Sequence, residues 1–171
     1  MLCLLSNAAV LDPLGPVEKC SPADIEQHIN VNLTAPIMLT ARFMSFFGDL
    51  PLRKKVIHMT SGAAKRPIAD ASLYCTAKAG ISMFCECIGN EQQGQPNGFE
   101  ISAISPGMVE TDMQKIMRSK SVEEFRPSDR FRAAKESGAV QELNIVARKI
   151  VGIIEAKTEP GQTVSVSDWT E

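Results

Sequence analysis

Tyr74 and Lys78 are the residues of this sequence whose types and spacing most directly suggest acid–base chemistry. Residues four apart lie on the same face of a helix, and Tyr74 is the only tyrosine in the chain. A phenol is normally too weak an acid for proton transfer at neutral pH, but a neighbouring ammonium lowers its pKa. The spacing therefore predicts a general acid or base at Tyr74, tuned by Lys78. Ser61, which follows a predicted strand, is placed to hydrogen-bond a substrate carbonyl together with Tyr74.

Composition and charge limit the class of protein. The 171 residues are 44% hydrophobic and 22% charged, which is typical of one globular domain with a core. The net charge of −2 gives no electrostatic reason to expect nucleic acid or an anionic membrane as a partner. The apolar runs are too short to span a bilayer. The five cysteines lack zinc-type spacing, so we expect no metal site and reduced thiols in a cytoplasmic protein.

The pattern of apolar residues predicts alternating strands and helices. Apolar or β-branched runs predict four strands, one within the opening run at 1–10 and the others at 54–60, 99–105 and 163–167. Helical periodicity predicts four helices, at 22–28, 31–47, 72–93 and 139–156. Residues 110–137 are mostly polar, with weak helical pieces. The alternation indicates an α/β fold with a parallel sheet and right-handed crossovers.

Polar or glycine-containing segments follow three of the predicted strands. Asn7 follows the first strand, Ser61 the second, and Pro106 and Gly107 the third. In open parallel sheets, ligands bind at the carboxyl ends of the strands, so we expect these residues to line one site. Each feature alone is weak, because an asparagine, a serine or a Pro-Gly pair also occurs in ordinary turns.

Four segments in this order and spacing resemble the short-chain dehydrogenase/reductase family over essentially the whole chain. Ser61, Tyr74 and Lys78 match the family's serine and its Tyr-x-x-x-Lys pattern. Further segments match the family's Asn-Asn-Ala-Gly, helix-asparagine and Pro-Gly motifs, and they read SNAA at 6–9, INVNL at 29–33 and SPGMVETDM at 105–113.

The resemblance implies a fold and a set of site residues. The fold would be the C-terminal part of a Rossmann-like doubly wound parallel sheet, family strands four to seven, in three αβα layers, with residues 1–171 forming one partial domain. The catalytic residues would be Ser61, Tyr74, Lys78 and Asn32, of which Asn32 holds a water of the proton relay. The cofactor-binding residues would be Asn7, Ala8, Ala9, Tyr74, Lys78, Pro106, Gly107, Val109 and Thr111.

Within the family, the segments LYCTAKAG, PGMVETDMQ and GQTVSVSDW resemble the branch of sepiapterin reductases and bacterial benzil reductases. That branch implies reduction of a small-molecule ketone, diketone or pterin side chain, with NADPH expected rather than NADH. Tyr74 would protonate the carbonyl oxygen and Lys78 would hold the ribose. Sepiapterin reductases anchor the pterin on an aspartate, but here Ser165 occupies that position and Asp168 lies three residues later. A less polar dicarbonyl substrate is therefore an equally good expectation.

The family's glycine-rich phosphate-binding turn, Thr-Gly-x-x-x-Gly-x-Gly, is not in the sequence. Before position 62 the only glycines are Gly15 and Gly48. We therefore expect that the chain begins at the family's fourth strand, lacks the half that binds the adenine side, and binds dinucleotide weakly. The alternative function is a non-catalytic truncated remnant that acts through dimerisation. The family dimerises through helices that correspond here to 31–47 and 72–93, which predicts a homodimer.

Several remaining residues have competing interpretations. We expect His28 and His58 to be structural rather than catalytic or metal-binding. The basic run at 53–55 is expected to be a solvated entry to its strand. Three apolar residues of the stretch at 110–137 could be core residues or, as the resemblance implies, part of a mobile substrate lid. They are Met113, Met117 and Phe125.

Overall fold

A parallel four-stranded sheet forms the centre of the protein in the computed structural model, which describes residues 1–170. The strands lie in the order β1-β2-β3-β4, and they are β1 (Leu2–Ser6), β2 (Lys54–Met59), β3 (Phe99–Ser105) and β4 (Thr163–Ser165). The predicted parallel sheet is confirmed. β1 ends at Ser6, so Asn7 follows it as predicted, and the backbone N–H and C=O of Val10 bond to the Asn32 side chain at 3.0 and 2.9 Å instead of to a neighbouring strand.

A nearly continuous helical segment follows β1. α1 (Pro22–Ile29) begins after Ser21, whose hydroxyl oxygen accepts a hydrogen bond from the Asp24 N–H at 3.1 Å and so caps the helix. A π-helical turn (Asn30–Thr34) then leads into α2 (Ala35–Phe47). The sequence predicted two separate helices here, whereas the structure joins them through this turn. π-Helical turns inside helices are frequently found at functional sites.

Four more helices complete the fold, and they are α3 (Ser72–Gln92), α4 (Asp112–Ser119), α5 (Ser128–Glu136) and α6 (Leu143–Glu155). α6 begins later than predicted because Gln141 pairs with the segment after β3. Its N–H donates to the Met108 carbonyl at 2.8 Å, and its own carbonyl accepts from the Glu110 N–H at 3.0 Å. Within residues 1–170, every helix is either too short or too polar to cross a membrane.

Alternate residues of the strands face two helical layers. Val56 and Ala103 pack toward α2 and α3, where they meet Ile81. Ile57 and Ile104, their neighbours in sequence, pack toward α6 on the opposite face. Residues one apart on a strand point to opposite faces, and a sheet covered on both faces needs apolar residues at nearly every position. The result is the predicted three-layer αβα arrangement.

Lys54 and Lys55 are fully buried, so the expectation of a solvated strand entry is wrong for both. Lys54 donates to the carbonyls of Gly48 and Leu50 at 2.6 and 2.8 Å, just after α2. Lys55 faces the other layer and donates to three carbonyls at the end of α6, those of Ile153, Ile154 and Ala156. Cations at helix C-termini bind carbonyls that lack helical partners and oppose the negative end of the helix dipole. Two adjacent lysines thus cap helices in opposite layers.

Candidate active site

Tyr74 and Lys78 lie near the start of α3, beside the end of β2. Lys78 is buried, and its ammonium lies 5.6 Å from the centre of the Tyr74 ring. The ammonium donates to the main-chain carbonyl of Met59 at 2.9 Å. Burial lowers the pKa of Lys78 to about 8. Within residues 1–170 the Met59 carbonyl is the only hydrogen-bond partner of the Lys78 ammonium. Two of its three protons are therefore available to a ligand.

The Tyr74 phenol has a raised pKa in the chain alone. Burial raises the pKa, and a hydrogen bond with the Ser61 side chain lowers it only in part. We expected Lys78 to lower this pKa; the net shift is upward instead, because burial outweighs the neighbouring groups. A phenol with a raised pKa stays protonated at neutral pH, and this state is the one that can donate a proton.

Two hydroxyl groups that the sequence analysis missed hold the start of α3 against β2. The hydroxyls of Thr60 and Ser82 lie 3.2 and 3.0 Å from the carbonyl oxygen of Lys78, and 2.9 Å from each other. All three residues are buried. Ser82 lies four residues after Lys78, on the same helix face, and this spacing was the available signal. The two hydroxyls therefore fix the backbone that carries Lys78.

Asn32 lies in the π-helical turn and is buried. Its side chain accepts from the N–H of Val10 and donates to the C=O of Val10, at 3.0 and 2.9 Å. The side-chain amide therefore fixes the segment after β1 to the helical segment beside α3. The water-holding role that the resemblance gives Asn32 stays a prediction.

Both histidines are buried, as expected of structural residues. His28, one turn before Asn32, has its Nδ1 2.8 Å from the Asp12 carbonyl oxygen, and its ring meets that of Tyr74 edge-on at 6.4 Å. Because a carbonyl only accepts, Nδ1 carries the proton. His58, within β2, bonds through Nε2 to the Thr40 hydroxyl at 2.9 Å, and burial lowers its pKa to about 4.

The predicted cofactor residues lie just after the C-terminal ends of β1 and β3, on either side of the position where Ser61 follows β2. Those after β1 are Asn7, Ala8 and Ala9, and those after β3 begin with Pro106 and Gly107. Gly107 has a φ of 81°, a left-handed conformation that disfavours residues with a Cβ. The structure therefore places these segments at the same end of the sheet, where the strands reach their C-termini.

Val109 and Thr111, also predicted to bind cofactor, have structural roles in the chain. Val109 is buried in the core beside Val146 of α6, so only its main chain could reach a ligand. Thr111 is the N-cap of α4, and its hydroxyl oxygen accepts from the Gln114 N–H at 3.5 Å. Both residues hold the segment that follows Gly107.

The segment with α4 and α5 packs against the Tyr74 side of the site. Met117 and Phe125 are buried in an apolar cluster whose other buried members are Leu11, Ala71 and Phe131. Tyr74 and Met113 pack against the same cluster. Met117 and Phe125 are therefore core residues, and they tie α4 and α5 to α3, the helix that carries Tyr74.

A cavity of about 650 Å³ lies between the segment after β1, α1 and α4. Its walls include residues 9–14, together with Met113 and Ile116 of α4. Most of these residues are apolar, and the charged ones among them, Asp12 and Asp24, are acidic. The cavity adjoins the segments that hold Ala9 and Asn32, so it lies at the same end of the sheet.

A sequence model of the short chain dehydrogenase family matches residues 2–121. The chain belongs to this family. Benzil reductase ((S)-benzoin forming) of Bacillus subtilis is 32% identical over 166 residues, which are 97% of this chain and 68% of that protein. Sepiapterin reductase of Meriones unguiculatus is 29% identical over 161 residues, 92% of this chain and 59% of that protein. The chain thus spans about two thirds or less of the length of these relatives.

Solved structures support the same fold for this short-chain dehydrogenase. KRED1-Pglu superimposes with a TM-score of 0.83 at 21% identity, covering 96% of this chain and 68% of that enzyme. At this identity the likeness concerns the fold alone. The resemblance to the family and to its benzil and sepiapterin reductase branch is confirmed.

Short-chain dehydrogenases bind nicotinamide cofactors, and the described residues fit one half of such a cofactor. The buried Lys78 ammonium has two protons without partners, which suits the hydroxyls of a ribose. Gly107 supplies the left-handed backbone of the turn that follows β3. The glycine-rich turn that carries a pyrophosphate is not in the sequence, so the fit extends to the nicotinamide-ribose half only.

Proposed function

We propose that this chain carries the catalytic half of an NADPH-dependent reductase of ketones or diketones, with Tyr74 as the proton donor. The observation that supports it best is the group at the end of β2. The Ser61 hydroxyl opposes the rise in the Tyr74 pKa that burial causes, and the buried ammonium of Lys78 lies 5.6 Å from the Tyr74 ring. The similarity to benzil and sepiapterin reductases supports a carbonyl substrate.

Four residues, together with the cofactor, each have a separate role in the reaction. The nicotinamide cofactor, when bound, supplies a hydride to the carbonyl carbon. Tyr74 gives its proton to the carbonyl oxygen. The C=O double bond thus becomes a C–O single bond, and one C–H and one O–H bond form. Ser61 donates a hydrogen bond to the same oxygen and orients it. Lys78 stabilises the phenolate that Tyr74 becomes, and Asn32 holds a water that returns a proton to the site.

The end of β4 favours an uncharged dicarbonyl over a pterin. Ser165 stands where sepiapterin reductases have the anchoring aspartate, and its hydroxyl lies 2.7 Å from that of Ser167. Asp168, the nearest carboxylate in sequence, accepts from the Ser167 hydroxyl at 2.9 Å. A pterin would therefore find neutral hydroxyls at the position of its anchor.

We place the enzyme in the cytoplasm, because all five cysteines are free thiols.

Turnover by the purified 171-residue chain tests this proposal. Millimolar NADPH compensates for the missing phosphate turn, and benzil and sepiapterin are compared by loss of NADPH absorbance and by chromatography of the alcohol. We expect benzoin from benzil and slower use of sepiapterin. Ser165→Asp should raise the relative rate with sepiapterin and leave that with benzil unchanged. Absence of any alcohol product at saturating benzil, from a chain that is folded, would contradict the proposal.

We also propose that the chain forms a homodimer through α2 and α3. The exposed face of α2 carries Met38, Leu39 and Phe46, and Phe46 is 82% exposed. Met83 extends this apolar surface onto α3. Exposed apolar patches of this kind mark interaction sites. Sedimentation equilibrium should show a dimer that Phe46→Glu converts to a folded monomer; a monomeric wild-type chain at micromolar concentration would contradict it.

A further inference from the structure

Asp70 has an unusual backbone conformation close to the site. Its φ is 62°, and it is the one non-glycine residue with a positive φ within residues 1–170. It lies four residues before Tyr74, in the loop that connects Ser61 to α3. Aspartate tolerates the left-handed region better than most residues, but such conformations persist only where the surroundings hold them. The outlier therefore directs attention to what holds Asp70.

The Asp70 side chain is held by Arg126, which lies between α4 and α5. The carboxylate is 2% exposed and accepts from Nη2 of Arg126 at 2.6 Å and from its Nε at 2.9 and 3.1 Å. It also accepts from the backbone N–H of Arg126 at 2.9 Å. The carbonyl of Asp70 accepts from the Gly15 N–H at 2.7 Å. One residue thus joins the loop before Tyr74, the segment after β1 and the segment between α4 and α5.

The pair is placed to control how α4 and α5 sit against Tyr74. Phe125, the residue before Arg126, is completely buried in the cluster against which Tyr74 packs. Ala71, the residue after Asp70, belongs to the same cluster. Bidentate arginine–carboxylate pairs fix orientation as well as distance. The two ends of the pair therefore hold the two walls of the cluster together.

We propose that Asp70 and Arg126 are positioning residues that latch the α4–α5 segment closed over the Tyr74 side of the site, and that release of this latch admits substrate and releases product. This inference rests on the proposed function for Tyr74. The latch is a contact between a buried acceptor and an arginine whose side chain is 65% exposed. The arginine can leave its partner toward solvent without disturbing the sheet.

Hydrogen exchange of the purified chain tests the latch without relying on activity. Asp70→Gly keeps the left-handed backbone and removes the carboxylate, and Arg126→Gln removes the cation. Each should speed exchange across residues 112–136 at least about tenfold while β2 and β3 stay protected, and the double variant should exchange no faster than either single one. Lys115→Met, which removes an exposed ion pair with Asp112 in the same segment, is the control and should change nothing.

Kinetics with benzil separate the latch from the catalytic proposal. Asp70→Gly and Arg126→Gln should raise KM several-fold with kcat within twofold of wild type, and Arg126→Lys should restore part of the loss. Exchange across 112–136 that stays within twofold of wild type in both variants would overturn the latch. If both variants exchange faster but the wild-type chain shows no turnover of benzil, the latch is confirmed and the proposed reductase function is the part that fails.

Discussion

The ammonium of Lys78 donates to the main-chain carbonyl of Met59 at 2.9 Å, and this bond ties α3, the helix that carries Tyr74, to the end of β2. Met59 is the last residue of β2, and Ser61 follows it by two positions. The bond therefore fixes the distance between the strand end that carries Ser61 and the helix that carries Tyr74. It also keeps the ammonium buried, which determines how Lys78 titrates.

Lys78 should titrate well below the usual range of a lysine. Burial lowers its pKa to about 8, so it should lose its proton as the pH rises through that value, whereas a lysine in a model peptide titrates near 10.4. Carbon-13 NMR of lysine Cε resonances measures this directly. Lys55 also has a lowered pKa, so Lys78→Arg is needed to assign the resonance. A resonance that disappears in Lys78→Arg but titrates above pH 10 would contradict the burial described here.

The adenine half of a dinucleotide should add little to binding by this chain. The residues that fit a cofactor surround the nicotinamide-ribose half, and the sequence contains no glycine-rich phosphate turn. Calorimetry should give dissociation constants for NADPH and reduced nicotinamide mononucleotide within about fivefold of each other, because the turn that binds a pyrophosphate at a helix N-terminus is not in the sequence. NADPH binding that is a hundredfold tighter would show that other residues replace the turn.

Lys55 should stabilise the fold although it is a charged residue. Lys55→Met leaves the carbonyls of Ile153 and Ile154 without this donor, while the Ala156 carbonyl keeps a bond from Arg53 Nη2 at 2.6 Å, so the free energy of unfolding should fall by about 2–4 kcal/mol. Urea denaturation measures the change. The matched control, Lys115→Met on the surface of α4, should leave it unchanged within error. A similar effect of both substitutions would show that Lys55 does not cap α6.

His58 should make the protein less stable in mild acid. Its pKa is about 4 in the folded chain and near 6.5 when unfolded, so the unfolded state binds a proton first. Stability should therefore fall as the pH drops from about 6.5 to about 4, by about 3 kcal/mol in total. Thr40 donates to the Pro36 carbonyl and accepts from Nε2–H, so His58→Gln keeps a donor there. A plot of the urea midpoint against pH should be flatter for His58→Gln than for the wild-type chain between these two pH values. An equal slope in the two proteins would contradict the prediction.

The sequence predicted most elements of the fold because apolar periodicity and turn residues are local signals. It located β2, α3 and β3 closely, and it placed Tyr74 and Lys78 on one helix face. It did not predict that Lys54 and Lys55 are buried, since their partners are carbonyls at helix ends whose positions depend on tertiary packing. A charged run has the same local pattern whether it faces water or a helix terminus.

Contacts between distant segments explain the other differences. Asp70 and Arg126 are 56 positions apart, and nothing in either local sequence indicates the pairing. The raised pKa of Tyr74 depends on how much of the chain covers it, which residue spacing cannot show. The π-helical turn that joins the two predicted helices contains Asn32, whose side chain bonds to Val10 across 22 positions.

The proton transfer from Tyr74 is tested most directly by benzoin formation from benzil in the Tyr74→Phe variant at saturating NADPH. Phenylalanine keeps the ring against the cluster beside α4 and α5 and removes only the hydroxyl. The rate should fall by at least about a hundredfold, the usual worth of a positioned general acid, while NADPH affinity stays within twofold. Cys75→Ala, at the next position of α3, should keep the wild-type rate. Near-wild-type turnover by Tyr74→Phe would contradict the assignment.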